Sequence, residues 1–326
     1  MHGNERVSKM KTEAKYDLLC IGTALVDSII RGFDPEPVSA AGFRAESGVL
    51  SVGGESVNVA MAAAKLGLKT GILCSLGEDT AGDMVISALS KMGVDTSMAV
   101  RSAEHPTPVT TMFVNADGTR KSVTNEAHRY NFHPERLLED LPDTKAVALG
   151  SLFRAPFNDP EVIRSVIRGC KAKGAMILAD TKLPNFRKLT LTGISDILPL
   201  IDFIFPNEDE AAYYTGESGP DRAADVFLSF GIPNVVIKLG AKGCLFRNSE
   251  KRIRLPAVDL KAVDATGAGD NFLAGFALKI LEGSTVEDAL RFANACGGIC
   301  ASAAGASTGL KDRAQVEKLL NNVRNS

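Results

Sequence analysis

Near the C-terminal end of the chain, Val263-Asp264-Ala265-Thr266-Gly267-Ala268-Gly269-Asp270-Asn271-Phe272 sets two carboxylates around a run of small residues. A β-like run, 253–258, precedes it. Phe272, Leu273, Phe276, Ile280 and Leu281 follow at helical spacing until Gly283 stops the pattern. The stretch therefore predicts a loop feeding a helix N-terminus. The first amides of a helix have no partner inside it, and the dipole adds partial positive charge there. Such an end binds anions, phosphate above all, and Gly267, Ala268 and Gly269 leave room for a ligand against the backbone. Asp270 has two readings. It takes a proton from a hydroxyl attacking a phosphoryl group, or it is simply a helix-terminal carboxylate, where Asp is favoured. A dinucleotide fingerprint does not fit, because Phe272 stands where the third glycine belongs.

The remaining chain must position that loop. Residues 18–21 read as a buried strand closed by Gly22, with Asp27 expected at its carboxyl end, where open α/β sheets bind ligands. Residues 29–52 carry Gly and Pro without helical period and read as loop and short strands. Gly53-Gly54-Glu55-Ser56-Val57-Asn58 then opens an Ala-rich helix ending at Gly67. Two glycines permit close backbone approach, and Asn58 offers a donor and an acceptor. A strand over 70–76, a helix over 82–92 and a strand from 94 make a βαβ rhythm, which predicts parallel strands. The rhythm breaks at 109–115 and 120–125, which flank Asp117-Gly118 as a hairpin.

It resumes with strand 146–150, helix 159–173, strand 175–180, helix 190–200 and strand 202–205. Arg154 follows the first of these as a carboxylate clamp or a surface residue. Asp180 ends the second strand, with Lys182, Asn185 and Arg187 just beyond, charges within reach of substrate or phosphate with none singled out. Asn207 and Glu210 form a capping-box pair. A strand over 235–239 turns through Gly240-Ala241-Lys242-Gly243 into another at Cys244, and a small-residue helix over 286–303 leads to Gly305-Ala306-Ser307.

At 326 residues and 45% hydrophobic, the chain can bury a large core as one extended α/β domain or two smaller ones. A net charge of −2 gives no basic surface for nucleic acid or acidic membranes. No apolar run approaches about 18 residues, and no signal-peptide core opens the chain. Residues 1–14 are expected to be a disordered leader. Cysteines 20, 74, 170, 244, 296 and 300 fall in apolar segments without Cys-x-x-Cys spacing, which points to reduced core thiols and a cytoplasmic setting. Cys296 and Cys300 share a helix face, but no histidine lies near to complete a metal site. Histidines 2, 105, 128 and 133 form no ligand pattern.

The string Asp-x-x-Gly-Ala-Gly-Asp, residues 264–270, resembles the signature of the ribokinase-like (PfkB) carbohydrate kinases. Gly53-Gly54-x-x-x-Asn58 resembles the N-terminal signature of that family, and Asn207-x-x-Glu210 its metal motif. The resemblance runs from about residue 17 to 319 with the motifs in order. It implies a kinase domain over 15–326: a three-layer α/β/α core with a mostly parallel sheet, and a small β-sheet lid from segments near 28–52 and 106–130. It further implies ATP-dependent phosphorylation of a sugar or sugar acid, with Asp270 as base and an anion hole at Gly267, Ala268 and Gly269. Asp27, Gly53, Gly54 and Asn58 would hold the polyol. Asn207, Lys238, Gly240, Gly243, Thr266 and Asn294 would border ATP. Glu210 would hold hydrated Mg²⁺, and Asp264 a monovalent cation such as K⁺. The lid would supply a homodimer interface.

Two departures stand out: Glu55 after the glycine pair, and Lys238 where Thr or Ser is frequent. Arg44, Arg154 and Arg187 keep an acidic sugar among the candidates. A nucleoside kinase would need an aromatic clamp, for which Phe43, Phe113 and Phe153 are available. A non-catalytic sugar sensor on the same fold is the reading from another class. No Walker A string occurs.

Overall fold

A computed structural model describes residues 14–32, 45–114, 120–125, 132–184 and 187–324. Phe43, Arg44, Asn185, the Asp117-Gly118 turn, His2, His128 and the expected leader apart from residue 14 lie outside the described residues. In chain order the elements are β1 (Tyr16–Ile21), β2 (Leu25–Arg31), β3 (Ser47–Gly53), α1 (Glu55–Lys65), β4 (Thr70–Leu73), β5 (Ser75–Gly77), α2 (Thr80–Lys91), β6 (Val100–Ser102), β7 (Val109–Val114) and β8 (Arg120–Thr124). There follow β9 (Thr144–Leu152), α3 (Pro160–Ala172), β10 (Met176–Thr181), β11 (Phe203–Phe205), α4 (Glu208–Thr215), α5 (Pro220–Ser229), β12 (Val235–Lys238), β13 (Cys244–Arg247), β14 (Arg252–Leu255), α6 (Ala268–Leu281), α7 (Val286–Ala301) and α8 (Arg313–Arg324).

The main sheet runs β14-β13-β12-β11-β10-β9-β1-β4. Neighbours from β12 to β4 pair in parallel, and only β13 and β14 pair antiparallel. Strands covered on both faces read as continuous apolar runs, and alternation assigns each side chain to a layer. Leu18 and Cys20 join one core with α1, α6 and α7; Leu19 and Ile21 join the other with α3 and α5. Phe205 of β11 meets Phe276 of α6 edge-on at 5.1 Å, an arrangement that adds about 0.5–1.5 kcal/mol beyond area burial. The parallel strands from β12 to β4 thus point their carboxyl ends to one edge, where the helices α1, α4 and α6 begin.

A separate sheet, β3-β2-β7-β8, stands over that edge, and a two-stranded sheet joins β5 to β6. The hairpin expected around 117–118 is the β7–β8 pair, with Thr110 and Thr124 hydroxyls 2.8 Å apart.

Several expectations change. Asp27 does not sit in a turn after β1: it lies within β2 of the small sheet, in register with Ser51 and Thr110. The run 70–76 divides at Cys74 between two sheets, and Cys74 O accepts instead from Val100 N at 2.8 Å. At 94–95 there is an isolated Gly71–Asp95 bridge in place of a strand, because the Asp95 carboxylate accepts from Ser97 N and Tyr16 OH and turns the chain before β6. The helix expected over 190–200 is two 3₁₀ turns, Thr192–Ile194 and Leu198–Leu200. Gly193 and Pro199 interrupt it, and proline lacks the amide that an α-helix interior needs. Likewise β14 stops at Leu255, before Pro256. All six cysteines are buried and free. Among the described residues, no helix is long and apolar enough to cross a membrane.

Candidate active site

Gly267 caps α6 with φ 76°. A Cβ there would lie 2.5 Å from Ala306 Cβ, so both the left-handed backbone and the close approach require glycine. The Asn271 side chain donates to Gly267 O at 2.8 Å and Ala306 O at 3.0 Å, stapling the turn to the 302–309 loop. Asp264 accepts from Thr266 N and Oγ1 at 3.0 and 2.6 Å and from Gly305 N at 3.1 Å, with Arg31 3.8 Å away. These bonds fix the turn at the N-terminus of α6.

Asp270, one residue beyond Gly269, is buried and accepts from Asn58 Nδ2 at 2.8 Å. Burial, then the Glu55 carboxylate, push its pKa up to about 7 against the opposing charge of Lys182. Asn58 comes from the first turn of α1, whose N-cap Gly54 has φ 100°. A Cβ on Gly54 would lie 2.2 Å from Thr23 O, and one on Gly53 2.4 Å from Asp27 Oδ2. The glycine pair therefore lets α1 start against the 22–24 segment. Gly54 lines the cavity, whereas Gly53 lies beneath Asp27.

Glu55 accepts from Thr23 Oγ1 at 2.7 Å and stands 3.5 Å from Lys182 Nζ. Burial alone would raise its pKa, but Lys182 and Thr23 outweigh it and hold the carboxyl down at about 2. The pKa of Lys182 is raised, chiefly by Glu55.

At the ends of β10–β12, Asp180 Oδ1 meets Lys238 Nζ at 2.6 Å. Lys238 N donates to Pro206 O at 2.8 Å, so β12 delivers this ammonium beside α4. Asn207 and Glu210 form the capping box foreseen from their spacing. Glu210 Oε2 also accepts from Thr181 Oγ1 at 2.8 Å. Burial first, and Asp180 second in that direction, raise the Glu210 pKa despite Lys238.

A cavity of about 920 Å³ joins these groups: Asp27 and Thr110 from the small sheet, Asn58 and Glu55 from α1, Lys182, and the 265–270 turn. Arg154 is on its wall, with Nε donating to Leu183 O at 3.2 Å. A second hollow of about 550 Å³, bordered by Gly240, Gly243, Val258, Asn294 and Gly297, shares Lys238, Gly240 and the turn around Gly269 with the first. Asn294 Nδ2 donates to Pro256 O at 3.2 Å. The paired hollows suit two ligands, or one long and one short, meeting at the N-terminus of α6.

Not every expected residue converges. Arg187 pairs with Asp159 at 3.1 Å and lines a different hollow. Asp264 supports the turn from behind and is not on the cavity wall. Phe153 is fully buried and stacked on Tyr214 at 4.0 Å, and Phe113 belongs to the sheet face opposite Asp27. Neither lines the larger cavity. Conversely, Thr23 carried no signal in the sequence, and Lys182 stood in an unranked cluster. Only a Lys two residues beyond a strand-end Asp marked its place.

The model of the pfkB family carbohydrate kinases matches residues 15–313. A ribokinase of Arabidopsis thaliana is 30% identical over 320 residues, covering 93% of this chain and 80% of the relative. The solved structure of Arabidopsis thaliana ribokinase complexed with ribose and ATP superposes with a TM-score of 0.81 at 26% identity, covering 94% and 98% of the two chains. An E. coli relative solved with ATP and Mg²⁺ gives 0.77 at 25% identity, covering 94% and 99%. The chain belongs to the pfkB family of carbohydrate kinases, and its three-layer core with a separate small sheet is the ribokinase-like fold.

Proposed function

We propose that the protein transfers the γ-phosphoryl group of ATP to a hydroxyl of a small sugar. The observation that carries this reading is Asp270 itself: a buried carboxylate held by Asn58 in the first turn of α6, where two hollows meet, its pKa pushed by burial up to about 7. A base is most effective when its pKa lies near the working pH. In the proposed complex, ATP lies along Asn207, Lys238, Gly240, Gly243, Thr266 and Asn294. The sugar lies against Asp27, Gly54 and Asn58, with Arg154 at its edge. Asp270 takes the hydroxyl proton as that oxygen attacks. The amides of residues 267–269 receive the charge spreading over the phosphoryl oxygens.

Glu210 and the neighbouring Asp180 are hard oxygen donors suited to Mg²⁺, which retains several waters and needs few protein ligands. Among the described residues no cluster of three or more His, Cys, Asp or Glu holds an ion alone, so the nucleotide would complete the coordination. Bound there, Mg²⁺ supplies charge neutralisation on the phosphates. Asp264 is already met by Thr266, Gly305 and Arg31. K⁺ is therefore an experimental variable, and no step depends on it.

The acceptor is best read as a neutral polyol. Asp27, Glu55 and Asp270 face it, with Lys182 and Arg154 as the counter-charges, so an acidic sugar would depend on Arg154. The deciding experiment is ADP release over sugars, sugar acids and nucleosides with Mg²⁺ and K⁺ varied. Turnover confined to nucleosides would replace this reading. Silence across the panel, with ligand-induced thermal stabilisation, would make the protein a sensor.

The small sheet is proposed as a lid and dimer surface. Its inner face presents Asp27, Thr110 and Met112 to the cavity. Its outer face carries Ile30, Leu50, Phe113 and Val123 in adjacent register, with Leu50 61% and Val123 69% exposed. A second copy of the chain would cover them.

A further inference from the structure

Two lysines enter the larger cavity, and they are held differently. Lys238 is locked: its ammonium lies 2.6 Å from Asp180 and its side chain is 15% exposed. Lys182 is not. It stands off Glu55 at 3.5 Å with its side chain 41% exposed, well beyond the roughly 2.7–2.9 Å of a charge-assisted bond. Its backbone, in contrast, is fixed at both ends, with N donating to Leu152 O at 3.0 Å and O accepting from Tyr214 OH at 2.6 Å. Glu55 is fixed too, by Thr23. The result is an anchored stem carrying a loosely tethered cation. Four carboxylates, Glu55, Asp270, Asp180 and Glu210, act on it in that order. They comprise the base itself, Glu55 beside it, and the two carboxylates near the strand ends that face the second hollow.

We propose that Lys182 is a further catalytic residue whose ammonium contacts the transferring phosphoryl group, and that Glu55 is the positioning residue that parks it beside Asp270 until that group arrives. This rests on the kinase reading above. In the transfer, the acceptor oxygen's lone pair forms the new bond to the γ-phosphorus and Asp270 receives its proton. The bond from that phosphorus to the β,γ-bridging oxygen breaks, its electron pair leaving with ADP. Lys182 exchanges no proton. It moves from Glu55 toward the equatorial oxygens, where charge spreads as transfer proceeds. Lysine suits this role because its compact charge swings on a flexible stem.

The test uses the full chain, with the sugar identified by the panel above. Lys182→Met is expected to lower kcat about 100-fold or more, the usual consequence of losing one charge-stabilising donor, with KM for either substrate nearly unchanged. Lys182→Arg is expected to recover a large part. Calorimetry gives a readout independent of turnover: Lys182→Met should weaken ADP with aluminium fluoride, a mimic of the transferring group, about tenfold or more and leave ADP alone unaffected. Because that variant leaves Glu55 facing an apolar chain, Lys182→Met/Glu55→Gln, which removes both charges, carries the same expectation.

The pH dependence of kcat adds a sign. Asp270 faces Glu55 and Asn58 from α1, Asp180 from β10, Lys182 from just beyond that strand, Cys20 from β1 and Cys300 from α7. Both thiols are held protonated by burial, and Lys238 and Glu210 stand behind Asp180. Glu55→Gln should therefore move the acid limb to lower pH, and Lys182→Met should move it to higher pH. Near-normal kcat in Lys182→Met, equal losses for ADP and its fluoride complex, or shifts of the same sign would overturn the assignment while leaving the kinase reading intact. A wild-type chain that phosphorylates no alcohol would overturn both.

Discussion

Asn58 and Asp270 are 212 residues apart in the chain, yet the amide of one donates to the carboxylate of the other at 2.8 Å. One helix start supplies the carboxylate and another orients it. Asn58 Oδ1 is buried and has no partner among the described residues, a costly arrangement that a sugar hydroxyl would relieve. Asn58→Leu should raise KM for the sugar several-fold or more. It should also move the acid limb of kcat to higher pH, since the lost bond favoured the ionised form. Steady-state kinetics from about pH 5 to 9 would check both.

Asp270→Asn should keep nucleotide affinity and lose kcat by about 10²–10⁴, the usual range for a positioned base. Near-normal kcat would remove the base assignment.

The same residue fixes a stability trend. A carboxyl raised from 3.8 to about 7 by burial is protonated in the folded state while already ionised in the unfolded one. Its contribution therefore erodes stability as pH rises from about 4 to about 7, by up to a few kcal/mol. Asp270→Asn should melt above wild type at pH 8 and close to it at pH 4. Differential scanning calorimetry at the two pH values would reveal the difference, and equal gains at both would contradict it.

Glu210→Gln separates capping from metal binding. Glutamine also serves at the third position of a capping box, so thermal stability should stay nearly unchanged. The Mg²⁺ concentration for half-maximal activity should rise about tenfold or more. A large fall in melting temperature with unaltered Mg²⁺ response would reduce Glu210 to a cap.

Gly267→Ala should destabilise the fold by about 1–3 kcal/mol and abolish turnover, because the added Cβ meets Ala306 at 2.5 Å on a left-handed backbone. Chemical denaturation and kinetics together would measure it.

The sequence carried the layered core and the α6 turn because both rest on local chemistry: apolar runs bounded by glycine, and small residues before a helical pattern. The capping box at Asn207 was equally legible. Asp27 was misplaced because Gly22 closed the first strand and Asp27 was referred to that strand's end, and nothing local announced that Leu25 would enter another sheet. The 190–200 segment has the buried isoleucines of a helix, but Gly193 and Pro199 decide its backbone. Lys182 and Thr23 escaped for a different reason. Their meaning depends on Glu55, which only the folded chain brings within reach.

The glycine pair has a mechanical consequence. The small sheet leaves the core through residues 22–24 and returns through Gly53 and Gly54, and these two crossings touch so closely that Thr23 O excludes any side chain from Gly54. If the sheet acts as the proposed lid, this contact would hold its root in place, and Asp27 beside it would travel less than the rim. Discrimination among sugars would then reside at the fulcrum, leaving bulk carried toward the rim comparatively unpoliced.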